Sequence, residues 1–467
     1  MTSPRAETLA EAVALAYDSN PTLQAQRASQ RALDETWVQA RAGYGPTANA
    51  QATVATDSNN NRFGGGQFVN GQSQTSSEVV SLTQPIYTGG RVTSQVNAAQ
   101  AAVLAGRETL RGAEQGVLQG VIDAYVDVRR DTESVNIARD NLGLLRRQLE
   151  ESRARFEVGE ITRTDVAQTE ARVAAAQAQL STAQAQLASS RANYAAIVGR
   201  NPGDLSPEPS LESLLPATVD EAFAAAERNN PQVRQSAFAE QQSAARLAGA
   251  KAQRRPTFSL QANLGYSGGS LGRGSPFANY SHDISAAAVA TVPLFTAGLT
   301  SSQIREAAEL NNVDRIGIET TLRQALLAVS RAWNALLGAR ASLVANDQEV
   351  RAANIAFEGT RQESRVGLRS TLDVLITEQD LANAERSLVD ARHDEYVAAT
   401  ALLVAMGSLS VRAIAKDVPL YDPRANFAKA RHAIGWTPWT PAVAAIDSVG
   451  APSTRPPPAG GPLTTAR

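Results

Sequence analysis

Two long tracts of the chain place an apolar residue at every seventh position. The first tract runs from Val121 to Phe156, and the second runs from Leu322 to Phe357. A seven-residue period kept over several heptads is typical of helices that supercoil around partner helices. A Val-Gly turn and a shorter tract with the same period follow each of them. The pattern predicts two helical hairpins, with helices at about 89–157, 162–199, 298–365 and 370–407.

Two other parts of the chain alternate apolar residues with small polar ones, as in "SLQANLGY" (259–266) and "DISAAAVATV" (283–292). This alternation is typical of strands with one apolar face and one polar face. Gly/Asn/Ser-rich stretches separate the strands of each pair, and such stretches form loops in solvent. We therefore predict β-hairpins at about 46–88 and 256–295, with strands at about 46–57, 76–88, 256–267 and 283–295. One helix is expected before each hairpin, at about 8–43 and 218–255.

The chain contains this plan twice. Pro85 and Pro293 are 208 residues apart, and so are Gly159 and Gly367. Composition bias does not keep proline and glycine landmarks in register, so we interpret the chain as two structural repeats. The repeats span residues 1–210 and 211–410.

Each hairpin leads into its long helix through a Pro- and Gly-containing junction. The residues at these two junctions are Pro85, Gly89, Gly90, Pro293 and Gly298. Glycine tolerates the unusual backbone angles of such a transition, and proline bends a strand away from ordinary pairing. We interpret both sites as places where the chain leaves a sheet and enters a helical layer.

Composition narrows the possible functions. Cysteine is absent and only three histidines are present, far apart in sequence, so we expect no disulfide, no Cys nucleophile and no metal site. The formal charge of −2 gives no indication of a nucleic-acid partner. Motifs of metalloproteases, hydrolases and P-loop proteins are missing, so neither catalytic residues nor a cofactor are expected and an enzyme is improbable.

Four strands per chain cannot close a barrel, and an open sheet leaves edges that must be paired. Three chains would supply twelve strands, which is within the range of closed membrane barrels. Aromatic residues lie near the expected strand ends, where such a barrel has its aromatic girdles: Tyr44, Tyr87, Tyr266 and Phe295. A soluble hairpin domain that caps a coiled coil fits the alternation equally well, so the pattern leaves both open.

The motifs "SLTQPIYTGGRV", "FEVGEITRTDV" and "SRVGLRSTLDVL" resemble those of the TolC family of outer-membrane exit ducts, over about residues 7–410. The resemblance implies a mainly α fold with a β-barrel part. Such proteins are homotrimers with a twelve-stranded barrel in outer-membrane lipid, continued by a twelve-helix coiled-coil tunnel in the periplasm. The implied function is passive export, in type I protein secretion, in tripartite drug efflux or in both. The implied partners are a periplasmic adaptor and an inner-membrane ABC or proton-driven transporter.

The two ends of the chain add to this interpretation. The first twenty residues lack the basic and apolar regions of a secretory signal, so the chain is either cytoplasmic or given without its signal peptide. The resemblance favours the second choice. Residues 411–437 resemble the periplasmic tail of type I secretion members of the family. Residues 438–467 are rich in Pro, Gly and Ala and are predicted to be disordered.

The resemblance also implies a gate at the Val-Gly turns. Arg369 is the expected partner of Thr164 and Asp165 on a neighbouring chain, and Ser364 stands where relatives often have a Tyr in an additional link. The guanidinium group of an arginine can donate two parallel hydrogen bonds to one carboxylate, which supports the pairing of Arg369 with Asp165. These four residues form the expected latch.

Asp373 matches the tunnel-lining aspartate of the family, so a trimer would carry a ring of three carboxylates, which selects and binds cations. The second acid that many relatives carry is replaced here by Ile376. The turns themselves are the exposed tips expected to contact the adaptor: Val158, Gly159, Glu160, Val366, Gly367 and Leu368.

One other function accounts for the heptads and the missing signal. A soluble, self-associating coiled-coil scaffold without channel activity would have the same helices. It leaves the amphipathic hairpins and the repeated junctions unexplained. Extraction separates the two, because a barrel protein needs detergent and a scaffold does not.

Overall fold

The computed structural model describes residues 6–62, 68–271, 274–432 and 437–451. Within these residues the chain forms the same order of elements twice, followed by short helices. The first repeat has α1 (Leu9–Ser19), α2 (Pro21–Ala42), β1 (Thr47–Arg62), β2 (Phe68–Tyr87), α3 (Arg91–Glu157) and α4 (Arg163–Val198). The second has α5 (Val219–Asn229), α6 (Pro231–Ala252), β3 (Thr257–Leu271), β4 (Ser281–Thr291), α7 (Leu299–Arg365) and α8 (Thr371–Ala405). The tail has α9 (Val411–Ile414), α10 (Pro423–Ala430) and α11 (Thr440–Ser448).

The long helices α3 and α7 each contain 67 residues. At ~1.5 Å per residue each is a rod of roughly 100 Å. The half of α3 near the sheet packs on α2, where the Gln30 amide donates to the Val103 carbonyl oxygen at 3.3 Å. The far half packs on α4, where Arg153 pairs with Glu170 at 2.7 Å. Two short helices in line thus accompany one long helix.

The helix expected over 8–43 is two helices in the structure, and so is the helix expected over 218–255. The first breaks at Asn20, whose backbone is extended and whose side-chain oxygen accepts from the Thr22 N–H at 2.9 Å. Asn230 does the same for the Gln232 N–H at 2.9 Å. A proline follows each Asn, and proline disfavours the helical conformation of the residue before it. The triplets Ser-Asn-Pro and Asn-Asn-Pro in the sequence indicate these two helix breaks.

The four strands form one antiparallel sheet in the order β1-β2-β3-β4. The first hairpin is longer than predicted, because pairing continues through polar residues as far as Arg62 opposite Phe68. Backbone hydrogen bonds need no apolar side chain, so the pattern underestimated the strands. The last strand ends at Thr291 and leaves Pro293 outside the sheet, whereas Pro85 lies inside β2 next to a register shift.

The strand register separates two chemical faces. Val80 lies opposite Leu264, and Leu264 lies opposite Ile284. The same face carries an apolar band across all four strands: Ala48, Ala50, Val54, Val80, Leu82, Phe258, Leu260, Ala262, Leu264, Tyr266, Ile284, Ala286, Ala288 and Ala290. The opposite face is mostly polar: Asn49, Gln51, Thr53, Ser77, Ser81, Thr83, Gln261, Asn263, Asp283 and Ser285. The band spans nine residues of β3, about the length with which a tilted strand crosses a bilayer.

The core lies around the middle of α3, where α1, α4, α5, α8 and α9 meet. Tyr125 and Tyr194 are fully buried there, and the Tyr194 hydroxyl donates to the Glu7 carboxylate at 2.8 Å. Tyr44 is also buried, against Val92 and Thr93, so it does not belong to an exposed aromatic girdle. Across the part of the chain that the structure describes, no helix is both long enough and apolar enough to cross a bilayer.

The tail is more ordered than its composition predicts. Residues 440–448, expected to be disordered, form α11, which contacts β2 and α3. Val443 of α11 is buried beside Tyr44 and Val92, residues far away in sequence, and composition does not report such contacts. The final residues 452–467, also predicted to be disordered, lie outside the described residues.

Candidate functional site

The free ends of the two helical hairpins are exposed turns of the same geometry. Gly159 and Gly367 both have a φ of 80°, and the residue after each donates back into the preceding helix. The Glu160 N–H donates to the Arg155 carbonyl oxygen at 2.9 Å, and the Leu368 N–H donates to that of Glu363 at 2.9 Å. The left-handed backbone at these positions favours glycine. The apolar side chains of both turns are solvent-exposed: Val158, Val366 and Leu368.

The two aspartates of the predicted gate cap the helices that begin after these turns. The Asp165 carboxylate accepts from the Thr162 N–H at 2.9 Å, and that of Asp373 accepts from the Ser370 N–H at 3.1 Å. Hydrogen bonds from the side chain and backbone of Ser370 lower the pKa of Asp373 below its ordinary value. Both acids therefore have a capping role that the motif analysis missed, although the spacing Thr-x-x-Asp and Ser-x-x-Asp is its signal.

Within one chain, Arg369 pairs with Glu363 through its Nε atom, at 2.9 Å from Oε2. Glu363 was not among the predicted latch residues, and it lies on α7 just before the turn. The structure thus does not bring Arg369 to Thr164 or Asp165 of its own chain. Their contact between neighbouring chains stays a prediction, as do the link at Ser364 and the Asp373 ring.

The junctions between sheet and helix adopt left-handed backbone, as the glycines indicate. In the first junction the φ angles are 70° for Gly89 and 85° for Gly90. A Cβ atom on Gly89 would lie 2.7 Å from the Cβ of Arg255, so a side chain does not fit there. In the second junction Gly298 has a φ of 83° and Ala297 has a φ of 47°, which is uncommon for a residue other than glycine.

Asp447 of α11 closes the first junction and was not identified from the sequence. Its side chain is fully buried and accepts five hydrogen bonds. The donors are Thr88 N (2.6 Å), Thr88 Oγ1 (2.8 Å), Gly90 N (3.2 Å), Thr93 N (3.1 Å) and Thr93 Oγ1 (2.8 Å). The N-cap Gly90 has no side chain of its own for the start of α3, so a carboxylate from the other end of the chain caps that helix.

Two surfaces of the chain lack the partners that their chemistry requires. In the described sheet, β1 and β4 are edge strands with unpaired backbone groups along 16 and 11 residues. The side of α7 away from its neighbours carries exposed aliphatic side chains: Leu310, Val313, Ile316, Leu327, Leu337, Val344 and Ile355. Exposed strand edges and apolar stripes of this length are sites of association.

A sheet with an apolar band on one face, continued by long helical rods with exposed tips, is typical of the protomer of a membrane duct. A model of the family described as outer membrane efflux protein matches residues 12–200 and, a second time, residues 223–408. The chain belongs to the outer membrane efflux protein family. The resemblance to the TolC family is thereby confirmed.

Individual relatives agree with this assignment. The outer membrane efflux protein BepC of Brucella suis biovar 1 is 32% identical over 425 residues, which is 90% of each chain. The alkaline protease secretion protein AprF of Pseudomonas aeruginosa is 26% identical over 329 residues, 69% of this chain and 68% of AprF. The crystal structure of the outer membrane protein VceC of Vibrio cholerae has the same fold, with a TM-score of 0.71 at 21% identity over 85% of this chain and 96% of VceC. BepC is named as an efflux protein and AprF as a secretion protein, and neither name is that of an enzyme.

Proposed function

We propose that three copies of this chain form an outer-membrane exit duct. The observation that carries the proposal is the sheet, with its apolar band, its polar opposite face and its two unpaired edges. Joining β4 of one copy to β1 of the next satisfies both edges, and three copies give a closed barrel of twelve strands. The apolar band then faces lipid and the polar face lines the duct.

The internal repeat supports the contact between copies. In the first junction the Gly89 carbonyl oxygen accepts from Arg255, at the end of the helical segment that precedes β3. The second junction has no such neighbour in the described chain, and its Leu294 and Phe295 side chains are 92% and 88% exposed. The equivalent neighbour is the end of α2 in another copy. If the end of α2 in one copy packed on the second junction of the next copy, as the segment after α6 packs on the first junction, Leu294 and Phe295 would be buried between the two copies.

Export is proposed to be passive and to depend on partners at the tips. The exposed turns at Val158–Glu160 and Val366–Leu368 are the ends that an adaptor would contact, and the adaptor would connect the duct to an inner-membrane ABC or proton-driven transporter. BepC is an efflux protein and AprF is an alkaline protease secretion protein. Both uses, drug efflux and type I protein secretion, are therefore proposed for this chain.

Single-channel conductance of the detergent-purified protein in a planar bilayer tests the duct. We expect stable insertion and a small, cation-selective conductance, because the tips are closed at rest and Asp373 supplies a ring of carboxylates. Absence of insertion and current, with protein that stays soluble without detergent, would overturn the proposal in favour of the coiled-coil scaffold.

Replacing Asp373 by alanine is expected to reduce cation selectivity and to abolish block by trivalent cations, because three charges leave the narrowest point together. The measurement is the reversal potential in a salt gradient, with and without the blocking cation. Asp18→Ala, an exposed acid on α1, is the control for the change in net charge. Equal selectivity in wild type and Asp373→Ala would remove Asp373 from the duct wall.

Replacing Arg369 by serine is expected to raise the resting conductance severalfold, because an exposed Arg–carboxylate contact contributes about 1 kcal/mol and three of them act on one gate. Arg351→Ser is a matched control, since Arg351 is an exposed arginine on α7 that pairs with Asp347 away from the tip. Unchanged resting current in Arg369→Ser would count against Arg369 as a latch residue.

A further inference from the structure

Helices α3 and α8 run antiparallel and join the two repeats along a line that we call the α3–α8 seam. It is defined here by two interactions: the hydrogen bond between Asp127 and His393 near the core, and the electrostatic attraction of Arg147 for Glu378 near the tips. Near the Glu378 end, Leu375 of α8 belongs to the same buried apolar cluster as Leu142 and Leu145 of α3. The two tip turns extend beyond this seam, so any loosening of the seam lets the hairpins separate.

The carboxyl group of Glu378 is buried, and no salt bridge in the described chain includes it. The residue is 4% exposed, and its Oε1 atom has no hydrogen-bond partner. The charges that act on it are Arg361 from α7 and Arg147 from α3, and Arg361 pairs with Glu358 at 3.6 Å. Burial raises the pKa of Glu378 to about 7, and the two arginines oppose that rise.

The first repeat contains the matched case. Glu170 and Arg153 lie 208 positions before Glu378 and Arg361. In that hairpin the pair forms a salt bridge of 2.7 Å, and the Glu170 side chain is 49% exposed. The same two residue types at the same spacing are thus solvated in one hairpin and separated in the other. The two carboxyl groups therefore differ in burial, and Glu378 lies on α8, the helix of the second hairpin that packs on α3.

The other end of the seam contains a second titratable side chain, that of His393. His393 Nε2 lies 3.0 Å from Asp127 Oδ1, and Nδ1 lies 2.9 Å from Asp394. Burial lowers the pKa of His393, but the hydrogen bonds with Asp127 and Asp394 outweigh it, so the pKa lies above its ordinary value. The other charged groups that face this imidazole are Asp123, Arg130 and Asp390.

Both groups bind a proton more tightly in the packed seam than in water. A group whose pKa is higher in the packed seam than in water stabilises the packed form. The stabilisation is complete at a pH below the pKa that the group has in water, and it is lost as the pH rises through the higher pKa that the group has in the seam. The stabilisation from Glu378 is lost by about pH 7. The stabilisation from His393 is lost at a pH above the ordinary pKa of histidine. The two effects therefore have the same sign.

We propose that the α3–α8 seam is a pH-responsive lock, packed when Glu378 and His393 are protonated and loosened when they are not. The lock rests on the proposed duct, because only a gated duct turns loosening of the tips into flow. It adds to the latch at Arg369, which lies at the turns themselves. Acidic surroundings keep the hairpins together, and neutral to alkaline surroundings release them.

Hydrogen exchange of the full chain in detergent tests the lock. After correction for intrinsic rates, we expect exchange of amides in 371–392 to be at least about tenfold faster at pH 8 than at pH 5.5, since a change of one pKa unit corresponds to a tenfold change. Glu378→Gln keeps the shape and removes the charge, so its exchange at pH 8 should be slower than that of wild type, and only the smaller part of the pH response that depends on His393 should remain. Glu170→Gln, the repeat-related control, should respond to pH like wild type.

His393→Gln tests the lock independently if Glu378→Gln does not fold. His393→Gln should retain the part of the pH response that depends on Glu378, and the double variant should respond less than either single variant. Wild-type exchange that does not change with pH, or Glu378→Gln that responds like wild type, would overturn the lock. Conductance separates this failure from that of the duct: current with pH-independent exchange contradicts the lock alone, and pH-dependent exchange without current contradicts the duct alone.

Discussion

Leu264→Arg is expected to lose most of its ability to fold into lipid vesicles. Leu264 lies in the middle of the apolar band, between Val80 and Ile284 on the neighbouring strands. The proposed function places this side chain in the lipid, where an arginine near the bilayer midplane costs about 2–4 kcal/mol. A trimer incurs that cost three times. The gel shift between unboiled and boiled samples measures the folded fraction.

Asn263→Arg is the matched control for this change. Asn263 is the preceding residue of β3, lies opposite Ser81 and Ser285, and points to the polar face. The same charge is introduced one position away, where it would face water in the duct. We expect near wild-type folding yields. Equal loss in both variants, or greater loss in Asn263→Arg, would mean that the faces are assigned the wrong way or that the sheet does not lie in lipid.

Asp447→Ala is expected to release α11 from the junction. The change leaves the buried N–H and hydroxyl donors of Thr88 and Thr93 without their acceptor. An unsatisfied buried donor costs about 1–3 kcal/mol, so the loss is at least about 3 kcal/mol. Since about 1.4 kcal/mol is a factor of ten, the detached population should rise by roughly 100-fold or more. Tryptic release of the segment after Arg431, followed by mass spectrometry, measures that population.

Two variants distinguish the carboxylate from general damage to the helix. Ser448→Ala alters the next, exposed position of α11 and should be cleaved like wild type. Asp447→Asn keeps one acceptor oxygen and should lie between wild type and Asp447→Ala. If trypsin released the segment equally slowly from wild type and from all three variants, Asp447 would not hold α11 in place.

The contact also has a pH dependence opposite to that of the seam. Burial raises the pKa of Asp447, but the hydrogen bonds from Thr88 and Thr93 outweigh it and hold the pKa below its ordinary value. The ionised carboxylate therefore stabilises the junction above the ordinary pKa, and this contribution is lost as the pH falls through the lowered one. Mild acidification should tighten the α3–α8 seam while leaving the Asp447 contact intact.

Features that depend on periodicity and on local backbone chemistry were accessible from the sequence. The heptads predicted the two 67-residue helices, and alternation predicted the faces of the sheet. The glycines at 89, 90 and 298 indicated unusual backbone angles at the junctions, and these angles are left-handed in the structure. Even the missed breaks at Asn20 and Asn230 had a local signal in the proline that follows.

Features that depend on contacts between distant residues were not accessible. Asp447 lies 359 positions from Thr88, in a tail whose composition predicts disorder, and only the fold places its carboxylate at the start of α3. The Glu-Arg pairs of the two repeats have the same spacing, yet one forms a solvated salt bridge and the other does not, with its glutamate buried. Repeated sequence determines the same helices twice. The environment of each side chain depends on which neighbour the tertiary structure packs against it, because burial and electrostatics act across space and not along the chain.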